Sequence, residues 1–172
     1  MFFPTVRITF GQTNQDEGLR FVNEGDGGSF PAEAGGLECR QLAGNSENDL
    51  YLAIDSAFKD TNWMDVLVAV EFYAPERGLF DAQYDGRKPT AGTGAYSDTP
   101  AGIQFDGVGY WNKGAVVARG ARFENRQNGG ADLRLRVLCR DFYVRRVSAI
   151  ACPRAFHLKW NMLRGFPDRL AA

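Results

Sequence analysis

Trp63-Met-Asp-Val-Leu-Val-Ala-Val-Glu-Phe-Tyr73 alternates with a period of two. Met64, Val66, Val68, Val70 and Phe72 are apolar without exception, while Trp63, Asp65, Leu67, Ala69, Glu71 and Tyr73 form a mixed set. Successive side chains of a strand point to opposite faces, so this segment predicts a strand with one face in a core and the other half exposed. The same alternation predicts strands over residues 6–10, 37–42, 50–54, 79–84, 103–105, 115–123, 133–138 and 142–150. Clusters rich in Gly, Asn and Asp separate them: Glu24-Gly-Asp-Gly-Gly28, residues 45–48, 75–78 and 86–94, and Asn125 to Gly130. No segment of helical period and convincing length precedes residue 150. About nine short antiparallel strands at this spacing predict an all-β domain, a two-sheet β-sandwich of the jelly-roll kind.

Composition agrees. The 172 residues carry 20 Gly and 7 Pro, which implies many turns, and 13% aromatic residues, which suit strands. The longest apolar run, Val66 to Val70, falls far short of the roughly 20 residues of a membrane helix. Met1-Phe-Phe-Pro4 has none of the marks of a signal peptide, so location is not legible there. The expected division is a sandwich over residues 1–150 and a tail over 151–172. Phe156, Leu158, Trp160 and Met162 of the tail predict an extra strand or short helix packed on the sandwich.

The net charge of -1 conceals an uneven distribution. Residues 1–60 hold ten acids against four bases, whereas residues 119–150 hold eight arginines against three acids. In Leu133-Arg-Leu-Arg-Val137 the arginines share the face opposite the aliphatic residues. Two readings follow: the arginines pair with the acidic strands across a sheet, or they form an anion-binding face. With a pI near 5.9 and no basic stretch interleaved with exposed aromatics, a nucleic-acid partner is not expected.

No catalytic constellation is visible. The one histidine, His157, lies in the tail. Asp65 and Glu71 stand about 20 Å apart along one strand and Asp81 and Asp85 about 13 Å, whereas a glycosidase needs about 5 to 10 Å. Cys39, Cys139 and Cys152 form no C-x-x-C pair and allow one disulfide at most. The metal position is unknown. Hard oxygen ligands in loops, namely Asp16, Glu17, Glu24, Asp26, Glu47, Asp49 and Asp141, are compatible with a structural calcium assembled from several loops, with no EF-hand spacing.

Arg122-Phe-Glu-Asn-Arg-Gln-Asn-Gly-Gly-Ala-Asp-Leu-Arg-Leu135, followed by Asp141-Phe-Tyr-Val-Arg-Arg-Val147, resembles the closing strands of carbohydrate-binding-module-like β-sandwich domains. These are accessory to exported polysaccharide-degrading enzymes. The resemblance continues through Gly35-Gly36, Tyr51-Leu-Ala-Ile-Asp55 and Gln83-Tyr-Asp85 and covers about residues 5–150. It implies an extracellular, non-catalytic module for a polysaccharide, with a catalytic domain or a second copy, met through the tail, as further partners.

A sugar offers apolar C–H faces ringed by hydroxyls, so its binder needs an aromatic plate beside planar polar side chains. Tyr84, Tyr96, Tyr110 and Trp111 supply aromatic rings at strand ends or connections. Tyr84, Tyr110 or Trp111 is the expected stacking platform, with Asp26, Arg126 and Asn128 as hydrogen-bonding groups. The arginine-rich strands extend the expectation to an acidic polysaccharide. The competing expectations are a structural domain that binds no sugar and a small sandwich-fold hydrolase or lyase.

Overall fold

The computed structural model describes residues 3–24, 28–43, 48–60, 63–86, 95–107 and 109–152. Among them are thirteen strands: β1 (Thr5–Thr9), β2 (Gln15–Glu17), β3 (Leu19–Val22), β4 (Ser29–Ala34), β5 (Leu37–Ala43), β6 (Asn48–Ile54), β7 (Met64–Tyr73), β8 (Gly78–Tyr84), β9 (Ser97–Asp98), β10 (Ile103–Phe105), β11 (Trp111–Ala121), β12 (Leu133–Leu138) and β13 (Asp141–Cys152). One 3-10 turn, Asn128–Gly130, precedes β12. All nine expected strands are present, and the count is higher because four further strands carry little apolar alternation. β2 is entirely polar, β9 has two residues, β3 has four, and β4 contains Pro31. Proline cannot donate to a ladder, and β4 accordingly pairs with β5 alone.

Two antiparallel sheets stack as a sandwich. The first runs β11-β7-β13-β1-β2, with β5 and then β4 also reached through β13; the second runs β10-β8-β12-β6-β3, with β9 on β8. β13 holds the first sheet together. One edge pairs with β7 throughout, while the other meets β5 at Asp141–Val144 and β1 at Arg146–Ile150. A bulge between Val144 and Arg146 marks the changeover.

Alternation places Val66, Val68, Val70 and Phe72 of β7 in the interior, facing Phe80 and Ala82 of β8 and Leu133, Leu135 and Val137 of β12. Phe72 stacks on Phe142 with ring centroids 5.1 Å apart and meets Phe80 edge-on at 5.3 Å. Gly114 of β11 lies over this cluster. A Cβ there would stand 3.0 Å from the Phe80 ring, so the bare backbone is what lets the layers close at this point.

The three cysteines are free thiols. Burial pushes Cys39 and Cys139 up to about 11 each. Both thiols stay neutral in the fold to about that pH but ionise in the unfolded chain from about 8.5. Stability from this source is complete below 8.5 and is lost as pH rises to 11. Alkaline unfolding followed by circular dichroism should steepen across that window, and Cys39→Ala/Cys139→Ala should flatten it. The expected tail positions, including His157, lie outside the described residues.

Candidate functional site

The outer face of the second sheet carries three cross-strand rows. In the first, Val22, Tyr51, Arg134, Gln83 and Asp98 are register partners on β3, β6, β12, β8 and β9. In the second, Arg136 of β12 stands between Asp49 of β6 and Asp81 of β8. In the third, Leu138, Leu79 and Gln104 are aligned. Along β12, Arg134 to Leu138 spans about 13 Å.

Hydrogen bonds join the first two rows into one array. The Arg134 guanidinium donates to Gln83 Oε1 at 2.7 Å, Asp49 Oδ2 at 2.7 Å and the Tyr51 hydroxyl at 2.9 Å. Its plane lies 4.8 Å from the Tyr96 ring centroid, a cation-π distance. Arg136 donates to both Asp81 oxygens at 3.0 and 2.7 Å and reaches Asp98 at 3.4 Å, while Gln83 Nε2 donates to Asp98 at 2.7 Å. Tyr96 and Asn128 close the upper end: the Tyr96 hydroxyl donates to Asn128 Oδ1 at 2.9 Å and accepts the Asn128 N–H at 2.9 Å. At the lower end the third row opens into a pocket of about 480 Å³, lined by Arg77, Leu79, Gln104, Phe105, Asp106 and Leu138.

Two guanidinium groups on this face meet three carboxylates, Asp49, Asp81 and Asp98. The arginines of β12 therefore follow the first expectation, pairing with acids across the sheet, and the face carries no excess positive charge. Asp81 and Asp98 are each bound to Arg136.

The expected site residues are dispersed. Asn128 belongs to the array. Tyr84 does not present a platform: its ring shares the inward parity of Phe80 and is 5% exposed, and its hydroxyl donates to the Arg119 carbonyl at 2.8 Å. Arg126 is not a free ligand fork, because its guanidinium is held by the buried Asp85 and the Gly86 carbonyl. That carboxylate holds the Arg126 group above its ordinary range. Tyr110, 59% exposed, and Trp111 lie on β11 and its approach, in the opposite layer from Asn128. Trp111 is half-buried, donates to the Ala34 carbonyl at 3.2 Å and packs on Tyr73. Asp26 lies outside the described residues.

This sandwich has a counterpart of known structure. It is similar to CBM29_1, a family 29 carbohydrate-binding module from Piromyces equi, with a TM-score of 0.54 and 10% identity over 92% of this chain and 97% of that one. At that identity the likeness is one of fold. No family model matches the chain, and no curated protein matches it in sequence.

Among the described residues no group of three or more His, Cys, Asp or Glu side chains is placed to hold a metal. Of the expected ligands, Glu17 pairs with Arg7, Asp49 with Arg134, and Asp141 accepts from Gln41; Asp26 and Glu47 lie outside the described residues. Missing from the expected site were Tyr51, Gln83, Arg134, Arg136, Asp49, Asp81 and Asp98. Their signal was the outward parity of β8 and β12, where Asp81-Gln83 and Arg134-Arg136 occupy the positions between core residues.

Proposed function

We propose that this chain is a non-catalytic module of an extracellular polysaccharide-acting protein and that it binds a neutral glycan along the outer face of the second sheet. The observation that carries the reading is the connected array running from Tyr96 and Asn128 through Arg134 and Arg136 to the Leu79–Leu138 pocket. One face of Tyr96 lies on Arg134, and the half-buried ring stacks its remaining surface on a sugar C–H face. Asn128, Asp98 and Arg136 meet hydroxyls with planar donors and acceptors that the array, with the buried Gln83 beneath it, already orients, so little side-chain freedom is lost on binding. The fold likeness to a carbohydrate-binding module supports the same role.

The charge count moves the ligand from acidic to neutral. Arg134 and Arg136, together with exposed Arg20 of β3 on the same outward parity, balance Asp49, Asp81 and Asp98, so this face has no excess charge to draw in a polyanion, and a neutral chain gives salt nothing to screen. Affinity electrophoresis against soluble glucans, mannans and xylans should therefore give retardation that is the same in 50 and 500 mM NaCl. Tyr96→Ala should weaken it by about tenfold, the loss of one stacking surface. A module that ignores every neutral glycan, or binds one equally well without the Tyr96 ring, does not use this face.

A further inference from the structure

On the opposite layer, the outer face of the first sheet holds a row of different character. Lys113 of β11, Glu71 of β7, Arg146 of β13, Thr9 of β1 and Gln15 of β2 are register partners. The bulge inserts Arg145 beside Arg146, so two guanidinium groups face one carboxylate: Arg145 Nη1 is 3.1 Å and Arg146 Nη1 4.0 Å from Glu71. Glu71 is recessed, with its side chain 14% exposed, whereas Arg145 and Arg146 are 30% and 40% exposed and Lys113 is exposed. Arg146 also donates to Thr9 Oγ1 at 3.2 Å, which steadies its fork. Glu17, the acid of the neighbouring edge strand, is paired with Arg7 at 2.7 Å. Three cations against one acid leave this row with two positive charges beyond its own pairs, and bulges recur where a strand must re-aim side chains.

We infer that the Lys113–Arg145–Arg146 row is a second binding site, one for the carboxylate or sulfate groups of an acidic polysaccharide. Lys113 and Arg146 are two strand spacings apart, about 10 Å, so a chain crossing the strands meets both. Guanidinium forks match carboxylate and sulfate geometry. Of the adjoining rings, Trp111 and Tyr73 are partly covered by the hairpin between β4 and β5 at Ala34 and Gly35 and Tyr110 is exposed, whereas a base-stacking platform needs successive exposed rings. The anion site stands on the row itself; the choice of a polysaccharide as the bearer of the anions rests on the reading of the module as a sugar binder.

The test uses the full chain and four probes: polygalacturonate, dextran sulfate, a neutral glucan and single-stranded DNA. Binding is measured by affinity electrophoresis and fluorescence titration at 50 and 300 mM NaCl. Polygalacturonate or dextran sulfate should bind at low salt and weaken at least about tenfold at high salt. Arg145→Gln/Arg146→Gln should abolish that binding and leave any neutral-glucan binding in place, with a lowered melting temperature because the recessed Glu71 loses both guanidinium partners. Lys113→Gln, on an exposed side chain, should weaken it about threefold and guards against a folding effect in the double variant. Polyanion binding without neutral-glucan binding leaves this row standing and removes the neutral site. Failure of both acidic probes, their retention by the double variant, or equal affinity for DNA overturns the inference.

Discussion

Arg134→Ala should lower affinity for the neutral glycan by about a hundredfold, the largest loss expected from any side chain on the second sheet. The guanidinium touches four members of the array, Gln83, Asp49, Tyr51 and Tyr96. Without it, Tyr96 loses the guanidinium against its ring and Gln83 the donor to its Oε1, although each keeps its hydrogen bonds to Asn128 and Asp98 respectively. The nearly buried Asp49 also loses its 2.7 Å ion pair with Arg134. Removing one partner of such a pair costs about 2 to 4 kcal/mol of stability, so binding must be measured where the variant is still folded. Arg134→Lys separates the two effects. An ammonium restores the charge opposite Asp49 and much of the stability, but a point charge cannot reproduce the planar fork or the stacking on Tyr96. The lysine variant should therefore recover in melting temperature and remain at least about tenfold weaker for the glycan. Titration calorimetry beside thermal melts decides the matter. If Arg134→Ala binds within threefold of the native protein, the array is a structural brace and the ligand lies elsewhere.

Most of the scaffold was legible in the period-two pattern because a half-buried sheet leaves that pattern wherever a strand is long enough. β7 and β12 are the plainest cases, with every second residue at most 2% exposed from Val66 to Phe72 and from Leu133 to Val137. β2, β4 and β9 were silent because edge strands are held by backbone pairing and need no apolar face. Tyr84 was misjudged by its position near a strand end, although its parity with Phe80 and Ala82 already assigned it to the core. The convergence of the expected site could not be read at all. Trp111 and Asn128 belong to segments in different layers, and which layer takes β11 and which takes β12 depends on pairings 38 to 89 residues apart. The arginines of β12 were read correctly as outward, while their pairing with Asp49 and Asp81 became legible only once β6 and β8 were known to flank them.

The most distinctive motif of the chain, Asn125-Arg-Gln-Asn-Gly-Gly-Ala-Asp132, proves to be a fastening for the site, and from this follows the largest expected loss of stability. Asp132 is fully buried at the entrance to β12. Its carboxylate accepts the Ile54 N–H at 2.9 Å, the Asn125 N–H at 2.8 Å, the Asn125 side-chain amide at 3.1 Å and the Lys59 ammonium at 2.9 and 3.0 Å. One side chain thus ties the end of β6, the turn after β6 and the loop before β12. Asp132→Ala takes the counter-charge from the Lys59 ammonium, itself little exposed, which keeps the Asn125 side-chain oxygen, and takes this acceptor from the Ile54 and Asn125 N–H groups, while the Asn125 amide keeps the Gly130 carbonyl. Cases of this kind lose about 3 to 5 kcal/mol, which for a domain of this size lowers the melting temperature by roughly 10 to 15 °C. Asp132→Asn keeps the volume but turns an amide toward groups that all donate, so it should recover little. Lys59→Met removes the ammonium and leaves the Ile54 and Asn125 N–H groups donating to the Asp132 carboxylate, and should cost less than half as much. Because the same loop carries Asn128 to the Tyr96 hydroxyl, Asp132→Ala should also weaken glycan binding at temperatures where the protein remains folded, through a loosened loop. Thermal melts of the three variants order these effects, and an Asp132→Asn protein as stable as the native one would mean that the buried negative charge is not what holds the loop.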